Sequence, residues 1–205
     1  MDYKQRILKT ASQLFTKYGF RNVTVDEISR EAGISKRTFY ETFTNKDELV
    51  MAQTRQFLEE AEEDYHQIVQ SSNNAIEENI EFMKRSMALY EKLAPRALIE
   101  MQRYHPNAWE LIIKHREEFF LQQVMKNIKR GKAEKLYREE INEETVARMR
   151  MAQSQYLFDP VFFPPESTDI KKAGYEMMTH YIYGLCSPEG FEKASRLLAL
   201  EGLDN

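Results

Sequence analysis

The sequence predicts an all-α fold, and three observations carry that prediction. Glycine and proline are scarce, 7 and 6 of 205 residues, about half of average usage and too few to turn a chain of hairpins. Apolar residues recur at helical spacing along most of the chain, and no run of useful length alternates with period two. The stripes open at Ser, Thr or Asn and several close at Gly, which is how helices start and stop. The length suits one domain or two small ones, each with a core of its own.

Taken in order, Ile7, Leu8, Ala11, Leu14, Phe15 and Tyr18 share one face of a first helix that Gly19 closes. Thr24-Val25-Asp26-Glu27 reads as a capping box, the threonine accepting from the amide of Glu27 while that carboxylate reaches back. Ile28 and Ala32 supply the apolar face of this short second helix, and Gly33 ends it. Ser35 then caps a third helix, Lys36 to Phe43. The intervening turn has only about three residues, so the two short helices must cross steeply. Asn45-Lys46-Asp47-Glu48 is a second capping box, opening a long fourth helix striped by Leu49, Phe57, Ala61, Tyr65 and Ile68.

Beyond Ser71 the helices lengthen. Asn74 caps one carrying Ile76, Ile80, Met83, Met87 and Tyr90; Pro95 starts the next; Asn107 with Glu110 caps a long one through Trp109, Ile112, Ile113, Phe119 and Val124. Asn142 opens a helix with Val146, Met149, Gln153 and Tyr156. The Pro-dense stretch DPVFFPPEST is a loop, and its Val161, Phe162 and Phe163 must pack on their own domain or on a partner chain. Ile170, Ala173, Gly174, Met177, Met178, Tyr181, Ile182 and Leu185 make the clearest stripe, and Ser187-Pro188 starts a last helix with Phe191, Ala194, Leu197 and Leu198. The chain therefore divides into a three-helix unit, 1–46, and a larger helical domain, 47–205, linked by the fourth helix.

Charge sharpens the division. The formal net charge is -4, which taken whole argues mildly against a surface that binds nucleic acid. Residues 1–50 hold nine Lys and Arg against seven Asp and Glu, a balance of +2, leaving -6 for the rest. One cysteine, Cys186, excludes an internal disulfide or a Cys-rich zinc site, and the first residues carry no apolar leader, so the cytoplasm is the expected location. No stretch is apolar enough to span a membrane. There is no HExxH, no phosphate-binding glycine loop and no nucleophile elbow, and His66, His105, His115 and His180 show no metal-ligand spacing. No enzyme, metal or cofactor is expected.

A short helix, a tight glycine turn and a second short helix backed by a third is the helix-turn-helix arrangement, whose second member lies in the DNA major groove. Such pairs also occur as plain packing units; the basic balance favours DNA. In the third helix Lys36, Arg37, Thr38 and Tyr40 offer outward donors, whereas Ile34, Phe39 and Phe43 are apolar anchors. The run TVDEISREAGISKRTFYETFTNKDELV, 24–50, resembles the DNA-binding domain of the tetracycline-repressor (TetR) family of bacterial transcription regulators. The matching features are the Thr cap, the Ala-Gly-Ile-Ser turn, the Phe-Tyr pair, Phe43 and the Lys-Asp-Glu-Leu opening of the fourth helix.

The resemblance implies that Thr24 and Tyr40 bind phosphates, that Lys36, Arg37 and Thr38 face base edges or nearby phosphates, and that Lys46 clamps the backbone, with Ser35 and Thr42 also among the DNA-binding residues. Arg37 stands where the family often has glycine, and Thr42 where an aromatic or histidine is common. Thr24 also serves as a cap, and Tyr40 has a second reading as a half-buried prop. For the larger domain the resemblance implies a homodimer on a palindromic operator, with a small, mostly apolar effector and repression as the sign of control. The interface candidates are Met149, Gln153, Tyr156, Ala173, Gly174, Met177, Met178, Tyr181 and Ile182, whose alternative is intramolecular core. The effector candidates are Phe82, Met83, Met87, Tyr90, Met101, Tyr104, Trp109 and Phe119, with the same alternative; His105 and His115 could supply polar ends. The acidic run Glu59 to Asp64 is a solvated helix face. Control by a protein partner in place of a small ligand is the competing reading, with a helical enzyme a distant third.

Overall fold

The computed structural model describes residues 2–92, 97–157, 159, 161–164 and 166–200, without the side chains of 89–92, 97 and 98. Every element among them is helical: α1 (Tyr3–Tyr18), α2 (Val25–Glu31), α3 (Lys36–Thr42), α4 (Lys46–Ser71), α5 (Ala75–Lys92), α6 (Ala97–Tyr104), α7 (Pro106–His115), a π-helical turn (Arg116–Phe120), α8 (Leu121–Ala133), α9 (Glu143–Tyr156), α10 (Ile170–Leu185) and α11 (Pro188–Leu200). No helix among the described residues is long and apolar enough to cross a membrane. The expected helix start at Pro95 and the side chain of Tyr90 lie outside the described residues.

The helices group into two units: residues 1–62 with 92–115, and residues 63–91 with 116–205. In the first, Ile7, Leu8, Ala11 and Phe15 of α1 are buried with Ile28, Phe39, Phe43, Leu49 and Val50, and Met101 and Ala108 of α6 and α7 join the same core. In the second, Ile76, Ile80, Met83 and Met87 of α5 pack with Leu121 and Ile128 of α8, Met178, Ile182 and Leu185 of α10, and Ala194 and Leu198 of α11.

Local chemistry explains most of the boundaries. Thr24 and Glu27 complete both halves of their capping box, and Asn74, Asn142 and Ser187 each accept from a first-turn amide. Gly33, at φ 62°, occupies the left-handed conformation that lets the chain leave α2 and enter α3 at once. The Arg6 guanidinium of α1 donates to the carbonyl of Ala32 and to that of Gly33, fixing the turn from behind.

Four expectations are corrected. Tyr18 and Phe57 fall within sequence stripes yet are exposed, because those stripes are wider than the face each helix buries. At the second box Asn45 does accept from the Glu48 amide, but the Glu48 carboxylate turns to the amide and hydroxyl of Thr44. The helix expected behind an Asn107 cap starts two residues earlier, with Pro106 at the first position, where its missing N–H costs nothing. That helix does not run evenly to Val124: five residues, Arg116–Phe120, widen to a π turn before α8. Of the two places expected for the apolar loop, the chain's own domain does not cover Val161 and Phe162, which are 82% and 61% exposed with the Phe162 ring against that of Tyr156; a partner chain is the alternative that remains.

Candidate DNA-reading face and effector-domain site

In the first unit, the first turn of α3 and its flanks gather the polar side chains singled out in the sequence. Ser35 caps α3 by accepting from the Thr38 amide at 3.0 Å, and the two hydroxyls lie 2.8 Å apart. Phe39 and Phe43 point into the core and turn Lys36, Arg37, Tyr40 and Glu41 outward. Tyr40 is half-exposed, its ring edge-on to Phe39 at 5.5 Å, so it is both propped by the core and open to a ligand. Thr42 spends its hydroxyl on the Thr38 carbonyl at 2.9 Å. Thr24 remains exposed while capping α2; hydrogen bonds from its backbone and side chain hold the Glu27 carboxyl below the usual carboxylate range.

The cations on this face are already paired. Lys36 Nζ lies 2.7 Å from Asp26 of α2, a hydrogen bond that raises the lysine above its ordinary value. Arg37 Nε donates to Glu41 one turn on, at 2.8 Å. Lys46, half-buried at the start of α4, donates to the Phe20 carbonyl, and burial holds its ammonium below the ordinary value.

Helices α6 and α7 are fastened to this same unit by groups the sequence reading passed over or used otherwise. The Glu100 carboxylate accepts from the Arg21 amide at 3.0 Å. His105 is buried, with Nδ1 2.7 Å from Asp47 at the start of α4 and its ring edge-on to Phe20. His115 Nε2 lies 2.9 Å from Glu62. Both histidines, weighed as pocket ends, thus bind carboxylates of α4.

The effector candidates do not form one set. Met101 belongs to the core of the first unit, Tyr104 is exposed beside Arg21 and Arg103, and Trp109 is half-buried on α7. In the second unit Met83 and Met87 are core, whereas Phe82 and Phe119 join Tyr65 and Phe120 in a cluster with ring centroids 5.4 to 6.2 Å apart. Phe119 and Phe120 sit on the π turn, a local widening frequent at functional sites.

Tyr65 joins this aromatic cluster to a buried polar one. Its hydroxyl donates to Glu78 at 2.8 Å, and burial, with that carboxylate, pushes the phenol well above its ordinary range. Glu78, 3% exposed, is balanced by Arg130 at 3.0 Å. A buried pair of this kind is tolerated because its remaining lone pairs are filled. Tyr181 is 7% exposed and Arg150 lies over its ring, yet its hydroxyl has no hydrogen-bond partner among the described residues.

The interface candidates split by burial. Gly174, Met178, Tyr181 and Ile182 turn into their own unit; a side chain at Gly174 would meet Met87 Sδ at 2.5 Å. Met149 and Tyr156 are exposed, and Gln153, Ala173 and Met177 are part-exposed.

Comparison with known proteins adds the decisive observation: residues 7–52 match the family model described as bacterial regulatory proteins, tetR family. Those residues form a tetR-family DNA-binding domain. A relative, the uncharacterised HTH-type transcriptional regulator YvaF of Bacillus subtilis, is 28% identical over 162 residues, 77% of this chain and 82% of the relative. Among solved structures, a TetR-family regulator from Agrobacterium tumefaciens superposes with a TM-score of 0.72 at 14% identity, covering 90% of this chain and 98% of the other. The Bacillus subtilis regulator FadR, solved with stearoyl-CoA, gives 0.64 at 13% identity, covering 88% and 98%. The tetR-family helix-turn-helix is thus a DNA-binding domain, and the chain a transcription regulator. What the sequence reading missed in it is the pairing: nothing in the pattern around Asp26, Glu41, Asp47 and Glu100 names their partners, and only their positions reveal them.

Proposed function

We propose that this tetR-family regulator is a homodimeric repressor that holds a palindromic operator through residues 1–46 and releases it when a small, mostly apolar effector binds within 47–205. Thr24, Tyr40 and Lys46 grip phosphates, and Ser35, Lys36, Arg37 and Thr38 meet the groove. Thr42, bonded to its own helix, supports from behind. A dimer is needed because one recognition helix reads too few base pairs to discriminate. The exposed Met149, Tyr156 and Phe162, with Gln153, Ala173 and Met177, are the surface such a dimer would cover. Repression follows from a dimer seated over a promoter.

The observation that supports an effector is the orphaned Tyr181 hydroxyl. A buried hydroxyl without a partner costs about 1 to 3 kcal/mol, so a chain that keeps one has a use for it. In the same unit, the Tyr65–Phe82–Phe119–Phe120 cluster, whose Tyr65 interacts electrostatically with Tyr181, offers apolar wall of the kind that lines small-molecule sites. The solved FadR carries an acyl-CoA, a ligand with a long apolar chain; this chain's own effector has an apolar body and one group that bonds a phenol. Effector binding would reach the reading helices through α4, whose residues run from the first unit into the second.

The test is release of labelled operator DNA by the small-molecule fraction of a bacterial lysate. Release by that fraction, weakened in Tyr181→Phe, is the expected result. That variant should melt at the same temperature or higher, because it removes a hydroxyl that nothing satisfies. Release by the macromolecular fraction alone would replace the effector with a protein partner.

A further inference from the structure

Arg37 and Glu41 form a pair whose geometry goes beyond charge balance. They lie one turn apart on α3, both on the outward face, with side chains 88% and 59% exposed. Glu41 takes the Arg37 Nε–H at 2.8 Å. The two terminal nitrogens of the guanidinium have no partner among the described residues. Held by Nε, the arginine presents its end-on fork, the arrangement that bonds O6 and N7 of a guanine together. Glu41 keeps a second oxygen, and a carboxylate in the major groove accepts from the N4 amino group of cytosine.

Lys36 makes the contrast. It is paired as closely, to Asp26 at 2.7 Å, but an ammonium is a point charge with no fork, suited to a phosphate oxygen. Together Lys36, Arg37, Asp26 and Glu41 sum to zero. The reading face is therefore not a bare cationic patch that any duplex would attract.

We propose that Glu41 is a specificity-determining positioning residue, which aims Arg37 at a guanine and repels phosphate from that guanidinium. A G·C pair then stands at one fixed position in each half-site. The proposal rests on α3 entering the major groove, and its test separates the two.

Duplexes are selected from a random pool with the wild-type full chain, with Glu41→Gln and with Arg37→Ala, and affinities are then measured across salt concentrations. The wild type should enrich a guanine at one position per half-site. Glu41→Gln should lose about tenfold of that preference, bind unrelated duplexes several-fold more tightly, and show a salt slope steeper by about 0.9 per subunit as the freed guanidinium takes a phosphate. Arg37→Ala should lose the guanine preference outright. Both sites are exposed, so thermal melting should not move; an unchanged melt together with a changed base preference marks positioning and not folding. The proposal is overturned if Glu41→Gln keeps the wild-type base preference and salt slope, if it stops binding DNA altogether, or if Arg37→Ala keeps the guanine. A wild type that enriches no duplex would overturn the groove reading as well.

Discussion

At the scale of single residues, the structure turns on groups whose surroundings leave one choice. Gly19 ends α1 at φ 78°, ψ 169°, a region essentially confined to glycine. A Cβ there would also meet the Glu100 carboxylate at 2.5 Å. Gly19→Ala should therefore destabilise the protein by about 1 to 3 kcal/mol, read by denaturant unfolding, and should disturb the Glu100 to Arg21 bond that ties α6 to the DNA-binding unit. An alanine variant as stable as the wild type would show that the turn relaxes freely. Cys186 illustrates the opposite case, a residue made inert by place. Burial pushes its thiol up to about 11, and the thiol donates to the Ile182 carbonyl at 3.1 Å. Because the folded value is raised, the neutral thiol's contribution to stability holds below the ordinary thiol pKa and is lost only as pH climbs toward the folded value. Native protein should accordingly resist alkylation near pH 8, and ready labelling there would contradict the burial.

At the scale of elements, caps were the most legible feature of the sequence because each is a local bargain between neighbours. Thr24, Asn74, Asn142 and Ser187 all cap as their positions imply. The second box was half right: Asn45 is local, but the Glu48 carboxylate had two competing donors in Thr44 that the four-residue pattern ignores. The π turn carries no sequence signature; it inserts one residue's worth of phase and so redirects Phe119 and Phe120 relative to a regular helix. Stripes proved less legible at their edges, since period shows which residues share a face and not where burial stops, as Tyr18 and Phe57 illustrate. The cap also separates two roles of one residue. Thr24→Ala should cost about 1 kcal/mol of stability, and if Thr24 also grips a phosphate, operator affinity measured well below the melting temperature should fall as well. Thr24→Asp, which can still cap, should rescue the stability and leave the affinity weak through charge repulsion. Full affinity in both variants would confine Thr24 to its structural role.

At the scale of the whole molecule, the sequence's charge average concealed a polarity: +2 over residues 1–50 and -6 over the rest, or about +4 and -12 for a dimer. The fold class and the DNA-binding unit were readable because they depend on local period, caps and a fixed register of motif residues. The effector site was not, because its candidates are scattered over α5, α6, α7 and the π turn, and a Met or aromatic stripe looks the same whether it fills a core or lines a pocket. Only position separated Met83, Met87 and Met101, which are core, from Phe82 and Phe119, which gather around Tyr65. The central claim is that two copies of this chain present two α3 helices to one duplex. Footprinting of a duplex selected by the protein tests it most directly. Two protected half-sites related by a two-fold axis, their centres about one helical turn or a whole multiple of it apart, are the predicted result; a single unrepeated half-site would contradict it.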